Sequence, residues 1–192
     1  VKSLKDSLKN SKKPLFIIGG SGWSDVACSK FHKFINENNI PVATSFRRQD
    51  LFDHKNENFA GSFGTSVSPK LIDSTKNSDL IIVLGARLGE MTTQGYNIIR
   101  PQDISKNIIH IHVDPNELNK VFNANVCINV GVNECCDKLE ELTLDNSNRW
   151  KEWRNELNKN YLEDSKPQKN RNINNLSKIF GIVEKKFPTN SI

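Results

Sequence analysis

The sequence lacks any hydrophobic run that could cross a bilayer. Its longest apolar stretch, residues 80–84, is far shorter than the roughly 20 residues that a membrane helix needs. The first five residues, Val1 to Lys5, are rich in lysine and no apolar segment follows them, so the pattern of a signal peptide is missing. These absences argue against membrane insertion and secretion, and we expect a cytoplasmic protein.

Paired cysteines are also missing. The four cysteines, Cys28, Cys127, Cys135 and Cys136, form no Cys-x-x-Cys pair, and adjacent residues such as Cys135 and Cys136 do not readily face one metal ion. We therefore expect no metal site, and we interpret the cysteines as small buried or half-buried side chains in a reducing compartment.

The charge pattern disfavours a nucleic-acid partner. The formal net charge is +5 and the pI about 9.0, but the lysines are scattered among asparagines, with no basic stripe and no finger-like or RNP-like motif. The only methionine is Met91 and the sequence begins with Val1. We therefore keep open the hypothesis that it is a fragment of a longer protein.

The strongest pattern that is present lies at residues 79–90. Leu80–Leu84 is an unbroken apolar run, typical of a strand buried on both faces of a parallel sheet. Gly85 follows it and Arg87 lies in the turn, where ligands of open α/β sheets bind. The alternative, to which the residues alone give equal weight, is that Gly85 only ends a core strand and Arg87 is solvated.

A second glycine turn lies near the start. We predict a strand over residues 14–18, a glycine turn over 19–22, a helix capped by Ser24 and a second strand over 40–44. Together these elements make a right-handed βαβ unit. Gly-Gly-Ser-Gly is shorter than the dinucleotide fingerprint G-x-G-x-x-G. The turn can receive a phosphate on its N–H groups, although a plain tight turn is the favoured interpretation.

Further elements continue the alternation of strands and helices. We predict a loop over 46–63, a helix from Ser68 to Asn77, a loop over 88–103, strands over 107–113 and 125–130, and a helix over 132–142. The fold class is therefore α/β: a doubly wound, Rossmann-like, mostly parallel sheet of five or six strands with helices on both faces.

Two polar features lie on the strand over 107–113. His110 and His112 share one face, and we favour packed or hydrogen-bonded histidines over a metal site because further ligands at motif spacing are missing. Asp114 follows the strand, where an acid can bind ribose hydroxyls or cap the next helical turn.

The C-terminal quarter has a different pattern. Residues 147–164 predict a helix with an aromatic stripe, which is more often core or a docking face than a cofactor site. A polar linker over 165–174 and an amphipathic helix over 176–187 follow. We predict two domains, 1–145 and 146–192, the second containing a linker helix and the start of a further domain.

Five segments, in order and spacing, resemble the central domain of thiamine-diphosphate-dependent enzymes of the acetolactate synthase type. They are Pro14–Gly22, Ile40–Thr44, Phe59–Gly64, Ser78–Arg87 and Ile109–Leu118, and the resemblance covers about residues 1–142. It implies a parent transferase or lyase that acts on 2-keto acids with thiamine diphosphate and Mg²⁺ held by other domains. The partners implied are those domains and further subunits in a homodimer or tetramer, with no nucleic acid and no membrane.

The resemblance also implies a nucleotide site, for FAD or ADP, in some family members. The positions that match it are Gly20, Ser21, Gly22, Thr44, Ser45, Gly85, Ala86, Arg87 and Asp114. In other members the domain is only a scaffold. This chain departs from the FAD-binding pattern at Leu88–Met91, where a Phe-Asp-Asp-Arg-like run is usual, and at Val130–Val132, where Gly-Asp-Ala is common. No catalytic residue is assigned, and we expect the chain alone to be inactive.

Three other functions remain as alternatives. One is a free-standing nucleotide-binding module similar to electron-transfer flavoprotein or transhydrogenase domains, and another is an interaction scaffold that docks through Trp150, Trp153 and Phe187. A sirtuin-like deacylase is disfavoured because neither its catalytic histidine after a Gly-Ala-Gly turn nor its four zinc cysteines are visible.

Overall fold

The chain forms a six-stranded, all-parallel sheet. A computed structural model describes residues 2–99, 107–145, 148–166 and 176–187. The strand order is β3-β2-β1-β4-β5-β6, which matches the predicted Rossmann-like fold class. The strands are β1 (Pro14–Ile18), β2 (Val42–Thr44), β3 (Phe59–Ser62), β4 (Leu80–Leu84), β5 (Asn107–His112) and β6 (Val126–Asn129).

The middle of the sheet is covered on both faces. Every residue of β1 and β4 is buried, as the continuous apolar runs predict, and the two strands pair from Pro14 with Leu80 to Ile18 with Leu84. Strand β6 lies at one edge and alternates between half-buried and exposed residues. The buried centre brings the carboxyl ends of β1 and β4 side by side.

The described residues also form α-helices. They are α1 (Lys2–Asn10), α2 (Asp25–Asn38), α3 (Pro69–Asn77), α4 (Glu90–Thr93), α5 (Val132–Glu140), α6 (Lys151–Asp164) and α7 (Leu176–Lys186). The predicted caps are present: Ser24 Oγ accepts a hydrogen bond from the Ala27 N–H, and Ser68 caps α3 with Pro69 in its first turn.

Two apolar layers cover the two faces of the sheet. One contains side chains of α1, α2 and α5 against one face of the sheet, including Phe31, Ile35 and Leu139. The other contains Leu71 of α3 and Trp153 and Leu157 of α6 against the opposite face. The aromatic stripe predicted around α6 is therefore core: Trp150 packs in the first layer and Trp153 in the second.

By its contacts the chain divides into two compact units, Val1–Tyr161 and Leu162–Ile192. The sheet belongs to the first unit, and α7 is the main described element of the second. The predicted boundary at residues 145/146 stays a prediction. Most of the predicted linker, 165–174, lies outside the described residues.

Several predicted bounds were wrong. The loop over 46–63 ends in strand β3, whose Phe-Ala-Gly-Ser sequence has little strand propensity and forms by pairing with β2. The loop over 88–103 contains the short helix α4, α5 ends at Glu140, and α6 starts at Lys151 rather than 147. Cys127 is exposed because it lies on the edge strand β6.

The described helices include none with both the length and the hydropathy that a membrane span requires.

Candidate functional site

A cleft of about 910 Å³ opens at the carboxyl ends of the strands. Its walls are formed by α4 and by the segments at the ends of β1, β2, β4, β5 and β6. The residues that line it are Gly20–Gly22, Ser45, Phe46, Arg48, Gly85, Arg87, Gly89–Thr92, His112, Val113 and Gly131–Glu134. The strand order reverses between β1 and β4, which is the switch point where ligands of doubly wound sheets bind. The volume is in the range of small-molecule sites.

Two glycine turns form the floor of this cleft. Gly20 and Gly85 both have φ of +72°, a left-handed conformation that favours glycine. Backbone pairing continues past the ends of the strands, since the Gly19 N–H donates to Leu84 O at 3.1 Å and the Gly85 N–H donates to Ile111 O at 2.9 Å. The turns are therefore held as rigid extensions of the sheet.

Six of the nine predicted site residues line the cleft. They are Gly20, Ser21, Gly22, Ser45, Gly85 and Arg87.

The other three are engaged elsewhere. The Thr44 hydroxyl pairs with Ser62 Oγ at 2.8 Å, and Ala86 is fully buried. Asp114 does not line the cleft: it accepts a hydrogen bond from the Asn116 N–H at 2.9 Å and caps the helical turn Pro115–Glu117. For Asp114 the structure shows the capping alternative.

Sequence reasoning missed a second set of cleft residues. Phe46 and Arg48 follow β2, Val113 follows β5, and Asn133 and Glu134 follow β6. Each lies at the end of a predicted strand or just beyond it, and the carboxyl ends of parallel strands meet at one edge of the sheet. That position was the signal that could have found them.

Two arginines face the cleft with different partners. Arg48 is committed to Asp50: its Nε donates to Oδ1 at 3.1 Å and its Nη2 to Oδ2 at 3.0 Å, which lowers the pKa of Asp50. Arg87 is mostly exposed and forms an ion pair with Glu117, in which Nε lies 3.3 Å from Oε2. Lys120 donates to Glu117 Oε1 at 2.9 Å, and this hydrogen bond, followed by the charge of Arg87, lowers the pKa of Glu117.

The helix N-termini at the cleft carry the protein's own caps. Ser24 Oγ accepts from the Ala27 N–H, and Asn133 Oδ1 accepts from the Ser24 N–H at 3.1 Å, so that a side chain of α5 closes the start of α2. The Glu134 carboxylate bends back over Gly131 at the start of α5, where Oε2 lies 2.3 Å from the place of an added Cβ. Asp25 adds a further negative charge in the first turn of α2.

The strand histidines are hydrogen-bonded, as favoured from the sequence. His110 is buried and its Nε2 lies 3.0 Å from Ala86 O; burial lowers its pKa. His112 Nδ1 accepts from the Asp114 N–H at 3.1 Å. Among the residues the structure describes, no group of three or more His, Cys, Asp or Glu side chains could hold a metal ion.

Comparison with known proteins gives several matches. The chain is 27% identical over 133 residues to "Acetolactate synthase large subunit" of Corynebacterium glutamicum, covering 69% of this chain and 21% of that protein. It is 22% identical over 141 residues to "Acetolactate synthase isozyme 2 large subunit" of Escherichia coli, covering 73% of this chain and 25% of that one.

A third relative, "Acetolactate synthase large subunit" of Haemophilus influenzae, is 25% identical over 120 residues, covering 62% of this chain and 20% of the relative. The chain thus spans between a fifth and a quarter of the length of these relatives, to which it is distantly homologous. The family model described as "Thiamine pyrophosphate enzyme, central domain" matches residues 1–139. This chain belongs to that family of thiamine pyrophosphate enzyme central domains.

Proposed function

We propose that this chain is the central domain of an acetolactate synthase-like enzyme that acts on 2-keto acids, and that its cleft binds the diphosphate of an adenine nucleotide, FAD or ADP. One observation carries the nucleotide proposal. The cleft at the switch point is of ligand size and has Arg87 on its wall, with no hydrogen bond from either Nη to another described residue. A guanidinium edge of this kind matches a phosphate group.

The catalytic part of the proposal rests on the family and on the relatives. Thiamine diphosphate supplies an electron sink for chemistry next to a carbonyl carbon. We assign the residues that hold thiamine diphosphate and Mg²⁺ to other domains of the parent enzyme. In this chain the sheet would act as a scaffold between those domains, in a cytoplasmic homodimer or tetramer, and the chain alone would be inactive.

A thermal-shift titration of the chain with FAD, ADP, NADP and coenzyme A tests the nucleotide site. A ligand at a hundred times its dissociation constant stabilises the folded state by about 2.7 kcal/mol. For a chain of this size that corresponds to a rise in Tm of about 5–10 °C. We expect ADP or FAD to give such a rise and Arg87→Ala to remove it.

The matched control is Lys138→Ala. It removes the same charge from an exposed lysine on the solvent side of α5, which pairs with Glu141 outside the cleft, and should leave the shift intact. If none of the four nucleotides raises Tm, the nucleotide proposal is wrong and the scaffold role remains. Tightly bound flavin or NADP in the purified chain, with independent redox turnover, would instead support a free-standing nucleotide-binding module.

Isothermal titration calorimetry with thiamine diphosphate and Mg²⁺ tests the scaffold assignment. We expect no heat of binding to the chain alone. Micromolar affinity for thiamine diphosphate would show that the chain itself contains a cofactor site, and would contradict the assignment to other domains.

A further inference from the structure

The helix N-termini at this cleft are already occupied by side chains of the protein, so they are poorly available to an anion. The start of α2 is closed by Ser24 and Asn133, and the start of α5 carries the carboxylate of Glu134. Both positions therefore repel or exclude a phosphate group rather than attract it. Apart from the N–H groups of the glycine turns, the side-chain cations of the cleft remain as groups that could attract a phosphate.

Of the two cleft arginines, only Arg87 presents an open edge. Arg48 already uses Nε and Nη2 in a bidentate contact with Asp50. Arg87 forms an ion pair with Glu117, in which Nε lies 3.3 Å from Oε2, and neither of its Nη groups donates a hydrogen bond to another described residue. When Nε of an arginine is paired with a carboxylate, the edge formed by its two Nη groups stays available. That edge can bind two phosphate oxygens at once.

The carboxylate that pairs with Arg87 lies outside the cleft lining. Glu117 does not line the cleft; it lines a separate pocket of about 80 Å³, whose wall Arg87 also forms. The Glu117 side chain is only 15% exposed, whereas that of Arg87 is 68% exposed. Lys120 fixes the other carboxylate oxygen at 2.9 Å. Glu117 is therefore held in place and can orient Arg87 without competing for the ligand.

We propose that Glu117 is a positioning residue that holds Arg87 by Nε and directs its Nη edge into the cleft as the phosphate-binding group. The inference rests on the proposed nucleotide site and identifies the residues that would bind its phosphate groups. The ligand class is an organic or inorganic diphosphate, bound end-on by one oriented guanidinium. Preorganised side chains of this kind bind more tightly because less rotamer freedom is lost on binding.

The test measures Kd for ADP and for inorganic pyrophosphate by calorimetry in the unaltered chain, in Glu117→Gln, Glu117→Asp and Arg87→Ala, and in each Glu117 variant combined with Arg87→Ala. Glu117→Asp keeps the negative charge but shortens the side chain by one methylene. The close contact with Arg87 Nε is therefore lost, while the net charge near the cleft stays the same. We expect both Glu117 variants to weaken binding about three- to tenfold. In the Arg87→Ala background neither should change Kd further. Glu141→Gln, an exposed acid that pairs with Lys138, is the control and should bind like the unaltered chain.

The outcomes separate the two proposals. Tighter binding in Glu117→Gln would mean that Glu117 competes with the ligand, and would overturn the inference, as would unchanged Kd in both variants. If pyrophosphate binds with the expected dependence on Glu117 but ADP does not bind, the inference stands and the nucleotide function is wrong. If neither probe binds the unaltered chain, both are overturned.

Discussion

The carbonyl oxygen of Gly85 lies 1.9 Å from where a Cβ on Gly20 would be. The two glycine turns thus pack backbone against backbone at the switch point, and both have positive φ. This contact requires glycine whether or not a ligand binds. The glycine turns by themselves are therefore weaker support for a nucleotide than Arg87 is.

We expect Gly20→Ala to destabilise the fold strongly. The added Cβ would meet Gly85 O, and alanine at φ +72° is strained, which together cost about 3 kcal/mol or more. Urea unfolding measured by circular dichroism would give this value. Gly89→Ala is the control, because Gly89 has φ of −84° and open space around its Cα, and it should change stability by less than about 0.5 kcal/mol. Equal stability of the two variants would contradict the close contact.

Helix α6 should be an energetic part of the first unit. Trp153 is buried and its Nε1 donates to Pro14 O at 3.0 Å, at the amino end of β1. Trp153→Ala should cost about 3–5 kcal/mol of unfolding free energy, and Trp153→Phe about 1–3 kcal/mol because the hydrogen bond is lost. Lys151→Ala, on the exposed side, should be nearly neutral. A small effect of Trp153→Ala in chemical denaturation would mean that α6 is dispensable for the fold.

Stability should fall as the pH drops from 7 to 5. Burial lowers the pKa of His110 below its ordinary value of 6.5, with the charge of His112 acting in the same direction and Glu117 opposing it. The neutral form is thus favoured in the folded state, and its contribution is lost as the pH falls below the unfolded-state pKa. The slope is at most about 1.4 kcal/mol per pH unit for one proton.

The variant His110→Gln checks this effect. It removes the titrating group at that site and should flatten the dependence between pH 7 and 5 in urea titrations. The acids whose pKa values are lowered, such as Asp50 and Glu117, act mainly below about pH 5, at the lower end of this window. An unchanged slope in the variant would show that His110 is not its source.

The four thiols should react in a fixed order. Cys127 is exposed, and Cys28 is half-buried with its pKa raised mainly by burial. Burial raises the pKa of Cys135 to about 11 and that of Cys136 higher still, so both stay protonated at pH 8.

A thiol reagent such as dithiobisnitrobenzoate should therefore label Cys127 rapidly in the folded chain, and Cys135 and Cys136 only after unfolding. Cys127→Ser should abolish the fast phase. Rapid labelling of more than two thiols in the folded protein would contradict the observed burial.

Much of the fold could be predicted from local patterns. The apolar run Leu80–Leu84, the Ser24 cap and the Ser68-Pro69 start of α3 depend on neighbours in sequence, and each is present as expected. Strand β3 could not be found this way, because Phe59–Ser62 has no strand-like composition and pairs with β2 only once the sheet is assembled.

The candidate site was predictable only in part. Gly85 and Arg87 follow a recognisable strand, so their place at the cleft could be inferred. The hydrogen bond between Asn133 and Ser24 could not be inferred, since it spans 109 residues and depends on how α5 packs beside α2. Asp114 was ambiguous, because ribose binding and capping require the same residue type at the same strand end.

The sequence by itself determined most of the elements of this protein, because periodicity, caps and turn residues act between positions a few residues apart. Only the tertiary structure decided how those elements meet: Gly20 against Gly85, Asn133 on Ser24, and Arg87 held by Glu117. The physical reason is that these contacts are set by the packing of whole strands and helices. Their distances and directions leave no pattern along the chain.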